Sequence, residues 1–107
     1  MKALMTVCLA IASHVALASD VHEPTLTIRE HRFSPAELTV PAGRKIKLTV
    51  VNNDSTPEEF ESYELNREKI VVGTGRIVVF VGPLKPGRYP FFGEFHMDTA
   101  KGTLIAE

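Results

Sequence analysis

Lys45-Ile46-Lys47-Leu48-Thr49-Val50-Val51 is the stretch on which the fold turns. Ile46, Leu48 and Val50 alternate with Lys45, Lys47 and Thr49, which is the two-residue period of a strand with one face buried and one wet. Asn52-Asn53-Asp54 ends the strand with residues that tolerate turn geometry, and Pro41-Ala42-Gly43 turns the chain just before it. The same grammar extends outward on both sides. Thr25 to Arg29 alternates around Leu26 and Ile28, and Glu37 to Val40 leads into the Pro41 turn. Beyond the Asn-Asn-Asp turn, Glu58 to Tyr63 reads as extended, and Gly73 and Gly75 bracket a turn. Arg76 to Val81 carries the run Ile77-Val78-Val79-Phe80-Val81, which predicts a central strand covered on both faces. Lys85-Pro86-Gly87 is a tight turn, Arg88 to Phe95 the penultimate strand, and Thr103 to Ala106 the last. Tyr63 to Lys69 fits a helical turn. Seven to eight short strands, with no longer helical stripe, predict an all-β sandwich.

The chain has 107 residues, enough for one domain. Residues 1–18 are expected to stand outside that domain as a secretory signal peptide. Lys2 supplies the positive start, Ala3 to Ala12 the apolar run, and Ala16-Leu17-Ala18 the small-residue cleavage site. The apolar stretch, broken by Ser13 and His14, falls short of the roughly 20 residues of a membrane span, so the protein is not expected to be membrane-embedded. Residues 19–107 form the expected mature domain, and export places it in the periplasm. Losing Lys2 changes the balance of 12 basic and 13 acidic residues to 11 against 13. A nucleic-acid partner would call for a strong basic excess, and there is none. Cys8, the sole cysteine, leaves with the leader, so the domain has neither disulfide nor thiolate and depends on its core. Nucleophile motifs, Gly-rich phosphate loops and zinc-type histidine pairs are missing too, which argues against a hydrolase.

Two longer motifs then identify a family. Phe33-Ser34-Pro35, Leu38-Thr39-Val40-Pro41-Ala42-Gly43 and Leu48 to Asp54 resemble the first half of a cupredoxin. Gly87-Arg88-Tyr89-Pro90-Phe91-Phe92-Gly93-Glu94-Phe95-His96, followed by Gly102, resembles the second half. The resemblance covers Thr25 to Ala106 and implies a Greek-key β-sandwich of the cupredoxin type. Its copper ligands survive only in part. Gly93 stands at the cysteine position, Glu58 or Glu59 at the first histidine, and Thr99 at the axial methionine, with Met97 close by; His96 keeps the second histidine. A blue-copper centre needs a thiolate and two imidazoles, so this chain cannot build one. Glu59-Phe60-Glu61, Glu68-Lys69, Gly82-Pro83-Leu84 and Gly93 to His96 are similar instead to cupredoxin-like domains of bacterial periplasmic iron-uptake systems. Those are the EfeO-type N-terminal domain and the small stand-alone component that accompanies an iron permease. The resemblance implies iron or copper as the bound metal, an inner-membrane iron permease and other periplasmic uptake components as partners, and ferroxidase-like oxidation of Fe(II).

The candidate ligands are Glu59, Glu61, Glu68, Glu94, His96 and Met97. On an extended strand Glu59 and Glu61 share one face and Phe60 the other, so the carboxylates point away from the core. A solvated acidic edge strand would show the same pattern. Glu94 and His96 share a face if their strand stays extended. Met97 fits either a core gap or a soft ligand. His31 is a weaker candidate, and His22 with Asp20 and an α-amino group offers a loose Cu(II) site. Carboxylates with an imidazole and no thiolate suit iron, manganese or Cu(II). Two other readings compete with iron uptake: a copper carrier or electron-transfer protein with a non-blue site, and a metal-free interaction module.

Overall fold

The computed structural model describes residues 21–107, together with Ala3, Met5 and Thr6. The expected signal peptide over 1–18 lies, apart from those three residues, outside the described part. Among the described residues ten strands form two sheets of five. They are β1 (Val21–His22), β2 (Thr25–Arg29), β3 (Arg32–Ser34), β4 (Glu37–Val40), β5 (Lys45–Asn52), β6 (Glu58–Ser62), β7 (Arg67–Val71), β8 (Arg76–Val81), β9 (Gly87–Gly93) and β10 (Lys101–Ala106). A 3-10 turn, Glu94–His96, joins β9 to the last loop. Among the described residues no helix is long and apolar enough to cross a membrane.

The all-β sandwich expectation holds, with more strands than the seven to eight expected. The two-residue β1 and three-residue β3 are too short to show a period. β5 anchors the first sheet: β1 and then β2 run parallel along one edge, and β8 lies antiparallel on the other. The second sheet runs β4-β10-β9-β6-β7. Ile46, Leu48 and Val50 are fully buried, as their alternation predicts. Facing them from the second sheet, Phe60 and Phe91 enclose the hairpin residue Phe33, whose ring meets Phe91 edge-on at 5.0 Å.

Four local expectations need correction. β8 is an edge strand of its sheet, not a central one: Val79 and Val81 face the core, while Phe80 is 54 % exposed. Branched residues on both faces of a strand mimic double burial in sequence. Its free edge is guarded by the neighbouring sheet, since Arg67 Nε donates to the Phe80 carbonyl at 2.8 Å and Lys69 Nζ to the Val78 carbonyl at 3.2 Å. β6 is no solvated edge, because it is paired on both sides, with β7 and with β9. Residues 63–66 form a tight turn rather than a helical one, closed by Asn66 N–H on the Tyr63 carbonyl, and β7 begins at Arg67. The penultimate strand stops at Gly93 instead of reaching Phe95, for a reason that lies in the site.

Candidate metal centre

β6 presents two different surfaces. Phe60 faces the core, flanked on that face by Glu58 and Ser62, and all three are buried. Glu59 and Glu61 point to the outer face. β7 lies antiparallel beside them and sets Glu68 directly opposite Glu61. On the other side Phe60 pairs with Gly93, the last residue of β9, so the 3-10 turn starts beside Glu59 and brings in Glu94. The result gathers Glu59, Glu61, Glu68 and Glu94, each with a carboxylate oxygen within 4.8 Å of the others. Four of the six candidate ligands thus come together in space.

Like charges directly across a sheet are destabilising, so the cluster costs the fold something unless protons or a cation neutralise it. Glu59 is only 8 % exposed, and its Oε1 finds no hydrogen-bond partner; Glu61 Oε2 is also buried and unpartnered. Carboxylates are acceptors only, so the cluster can supply a donor from within only by holding a proton. Sharing a proton first with Glu68 and then with Glu94, together with burial and their negative charge, pushes Glu59 up to about 8. Sharing with Glu94, burial and the neighbouring charges push Glu61 up to about 7. Glu94, which receives hydrogen bonds from Glu61 and Glu59, is held below its ordinary value.

A pH dependence of known sign follows. The folded protein keeps protons on Glu59 and Glu61 that the unfolded chain releases near its ordinary carboxylate value of 4.5. Their stabilisation is therefore fully present below that value and is lost as pH rises through about 7 and 8. With metal chelated away, thermal unfolding is expected several degrees higher at pH 5 than at pH 8.5, and Glu59→Gln is expected to remove most of the difference. A midpoint independent of pH over that range would show that the carboxyls do not share protons.

His96 lies elsewhere. The 3-10 turn breaks the extended register on which Glu94 and His96 would have shared a face, and His96 turns toward the core face of β6. Its Nδ1 is 2.6 Å from Glu58 Oε2, while Glu58 Oε1 accepts the N–H of Glu59 at 3.0 Å and of Phe95 at 2.9 Å. That buried carboxylate ends β9: by taking the Phe95 N–H it curls the chain away from the sheet. Glu58, not Glu59, is therefore the residue that stands beside Gly93 and His96. Met97 is no core filler, being half exposed beside a shallow hollow formed with Pro90, Phe91 and Phe92.

His31 gained little weight from sequence, yet its ring stacks on that of His96 with centroids 3.5 Å apart and planes at 11°. Glu30 and His31 form the tip of the β2–β3 hairpin with φ of 52° and 56°. Both of their N–H groups are taken by the Asp54 carboxylate, at 2.8 and 3.0 Å. Burial pushes the Asp54 carboxyl up, but these backbone N–H groups and the adjacent His31 and His96 outweigh it and hold the group below its ordinary value. Asn52 Oδ1 accepts the Asp54 N–H, and its buried Nδ2 donates to the carbonyls of Thr56, Val71 and Val72. Asn52 and Asp54 read in sequence as turn formers alone; the signal of more was their place immediately after the best-defined strand.

The site does not fit a blue-copper centre. A Cβ on Gly93 would meet Glu58 Cδ at 2.5 Å and Ala100 Cβ at 2.7 Å, so the Glu58 carboxylate fills the space a cysteine would need.

Comparison with known proteins agrees on the scaffold. The model of the cupredoxin-like domain family matches residues 2–106. A Rickettsia prowazekii protein of unassigned function is 48 % identical over 86 residues, covering 80 % of this chain and 69 % of its own. Auracyanin A, a "blue" copper protein from Chloroflexus aurantiacus, matches with a TM-score of 0.70 at 16 % identity, over 81 % of this chain and 99 % of its own. The metal-binding domain of the Streptococcus pneumoniae Cu(I)-exporting ATPase CopA, solved with Cu(I), matches with a TM-score of 0.68 at 17 % identity, over 86 % and 91 %. At such identities the two structures speak for the fold.

Proposed function

This chain belongs to the cupredoxin-like domain family, and from that premise we propose that it binds a hard metal cation in the four-glutamate cluster as an exported component of an iron-uptake system. The observation that carries this reading is the gathering of four carboxylates within 4.8 Å of one another, one of which, Glu59, has a buried Oε1 without a hydrogen-bond partner. An all-oxygen, multiply charged donor set favours hard ions over Cu(I), and its charge stabilises Fe(III) over Fe(II). Ferrous iron is the proposed cargo. It is captured by Glu59, Glu61, Glu68 and Glu94, gives one electron to an external acceptor such as dioxygen to become Fe(III), and is passed to an inner-membrane permease. Binding displaces the protons held on Glu59 and Glu61, so affinity is expected to rise with pH, about tenfold per unit for each proton released.

The test is titration of the purified protein with Mn(II), a redox-silent hard probe, and anaerobically with Fe(II). Glu59→Gln and Glu94→Gln keep side-chain shape and remove one charge each, and each is expected to weaken binding at least about tenfold while the circular dichroism spectrum stays the same. Unchanged affinity in both variants would overturn the site. Fe(II) oxidation no faster than in buffer, with binding intact, would leave a carrier in place of an oxidase. Copper is the metal named for the structural relatives, which supports a second metal handled by the same fold.

A further inference from the structure

We infer that Glu58 is a specificity-determining residue of the carboxylate site. By anchoring His96 on the core face of β6 it keeps an imidazole out of the cluster, so that the donor set stays all oxygen and disfavours borderline ions such as Zn(II). The inference rests on the four-glutamate reading and gives a part in that site to a residue that does not touch it.

The register of the sheet points His96 toward the cluster. β9 pairs with β6 through Phe92 opposite Glu61 and Gly93 opposite Phe60. Two further steps of the same ladder would set Glu94 opposite Glu59 and Phe95 opposite Glu58. Side chains alternate along a strand, so His96 would then project from the outer face together with Glu94. It would stand diagonally across from Glu59, at the roughly 7–8 Å that long and aromatic side chains bridge. Simple continuation of β9 thus leads to four carboxylates and an imidazole on one face. In the structure the ladder stops at Gly93, and the imidazole lies on the opposite face.

One carboxylate makes the diversion. Glu58 Oε1 accepts the N–H of Phe95 at 2.9 Å, and Oε2 lies 2.6 Å from His96 Nδ1. Oε1 also accepts the Glu59 N–H at 3.0 Å, which fixes the group on its own strand. Glu58 is 1 % exposed, so these charge-assisted bonds are not shared with water. The remaining bonds of the turn, from the N–H groups of Thr99 and Ala100 to the His96 carbonyl, hold its backbone and leave the ring free. His31 adds a second hold by stacking on the ring at 3.5 Å, from a hairpin tip whose N–H groups are tied to Asp54. Burying a charge is costly, and an apolar residue fits this face, as Phe60 does two residues on. A charge retained at such a cost calls for a task, and holding the imidazole is the task its contacts describe.

The consequence is one of selectivity. Carboxylates alone suit hard ions, whereas imidazole suits zinc and the later divalent metals, which already bind more tightly at most sites. A single imidazole added to the cluster would therefore favour the competitors of the proposed cargo. Glu58 and Glu59 are adjacent on β6 and face opposite ways, so one strand both supplies a ligand and withholds the wrong one.

Titration of the purified protein with Mn(II) and, separately, with Zn(II) tests the inference, both ions being redox-silent. Glu58→Leu, which replaces the buried charge by an apolar side chain of similar size, is expected to raise Zn(II) affinity relative to Mn(II) at least about tenfold, the scale on which residues behind metal ligands act. Adding His96→Gln is expected to cancel that gain, while His96→Gln alone leaves the wild-type ratio unchanged. Glu58→Gln keeps an oxygen for the two N–H groups and is expected to retain the wild-type ratio. Phe95→Pro provides a second release should Glu58→Leu fail to fold: it deletes the N–H that Glu58 takes and biases Glu94 toward extended backbone. Wild-type protein that binds no Mn(II) would sink the four-glutamate reading, and the His96-dependent gain in Zn(II) affinity would still decide the role of Glu58. An unchanged ratio in the folded release variants, a gain that survives His96→Gln, or a shift on His96→Gln in the wild type would overturn that role.

Discussion

Gly93→Cys is expected to destabilise the protein by about 3 kcal/mol or more and to give no blue colour with copper(II). The substitution restores the family's thiolate in name only. Its Cβ would sit 2.5 Å from Glu58 Cδ and 2.7 Å from Ala100 Cβ. Neither neighbour is a loose side-chain end: Glu58 is fixed by His96 Nδ1 and two backbone N–H groups, and Ala100 is locked to the turn by hydrogen bonds between its N–H and the His96 carbonyl and between its carbonyl and the Gly93 N–H. Overpacking in such a site costs about 1–3 kcal/mol. Driving Glu58 out adds about 1–3 kcal/mol for each buried donor left unmet. The melting midpoint should fall by roughly 4–8 °C per kcal/mol for a domain of this size. A double-mutant cycle isolates the cause. Gly93→Cys on a Glu58→Ala background is expected to cost less than on the wild type, because the colliding carboxylate is gone. Additive effects, or a stable blue Gly93→Cys protein, would contradict the geometry.

Phe60→Ala is expected to have the largest effect on stability, about 3–5 kcal/mol by chemical denaturation. Phe60 is fully buried, with its ring centroid 5.4 Å from Phe91 and 6.2 Å from Phe33. It lies on β6 between Glu59 and Glu61 and opposite Gly93, so it also seats the strand that carries those two carboxylates. The loss should therefore appear in metal binding as well as in the unfolding midpoint. A cost below 1 kcal/mol would mean that the aromatic cluster is not the centre of the core.

Periodicity made the scaffold legible. Thr25–Arg29, Glu37–Val40 and Arg76–Val81 occur as strands with the ends the sequence predicts, since each is long enough to alternate and is bounded by turn residues. β1 and β3 were invisible because two or three residues carry no period. β8 was misplaced because β-branched residues on an exposed face look the same as buried ones.

The site divides along the same line. The sequence by itself determined that residues 21–107 hold no thiolate, that they cannot build a blue-copper centre, and that Glu59 and Glu61 share a face opposite Phe60, because composition and strand alternation are local properties. Only the tertiary structure decided that Glu94 joins Glu59, Glu61 and Glu68 while His96 leaves them for Glu58 and His31. That decision depends on a buried carboxylate, 37 and 38 residues away in the chain, capturing the N–H of Phe95 and the ring of His96. It stops β9 at Gly93 and sends two candidate ligands that are close in sequence to opposite faces of the sheet. Register across β6, β7 and β9, together with one hydrogen-bonded turn, sets the two donor sets apart, and no spacing along the chain encodes either.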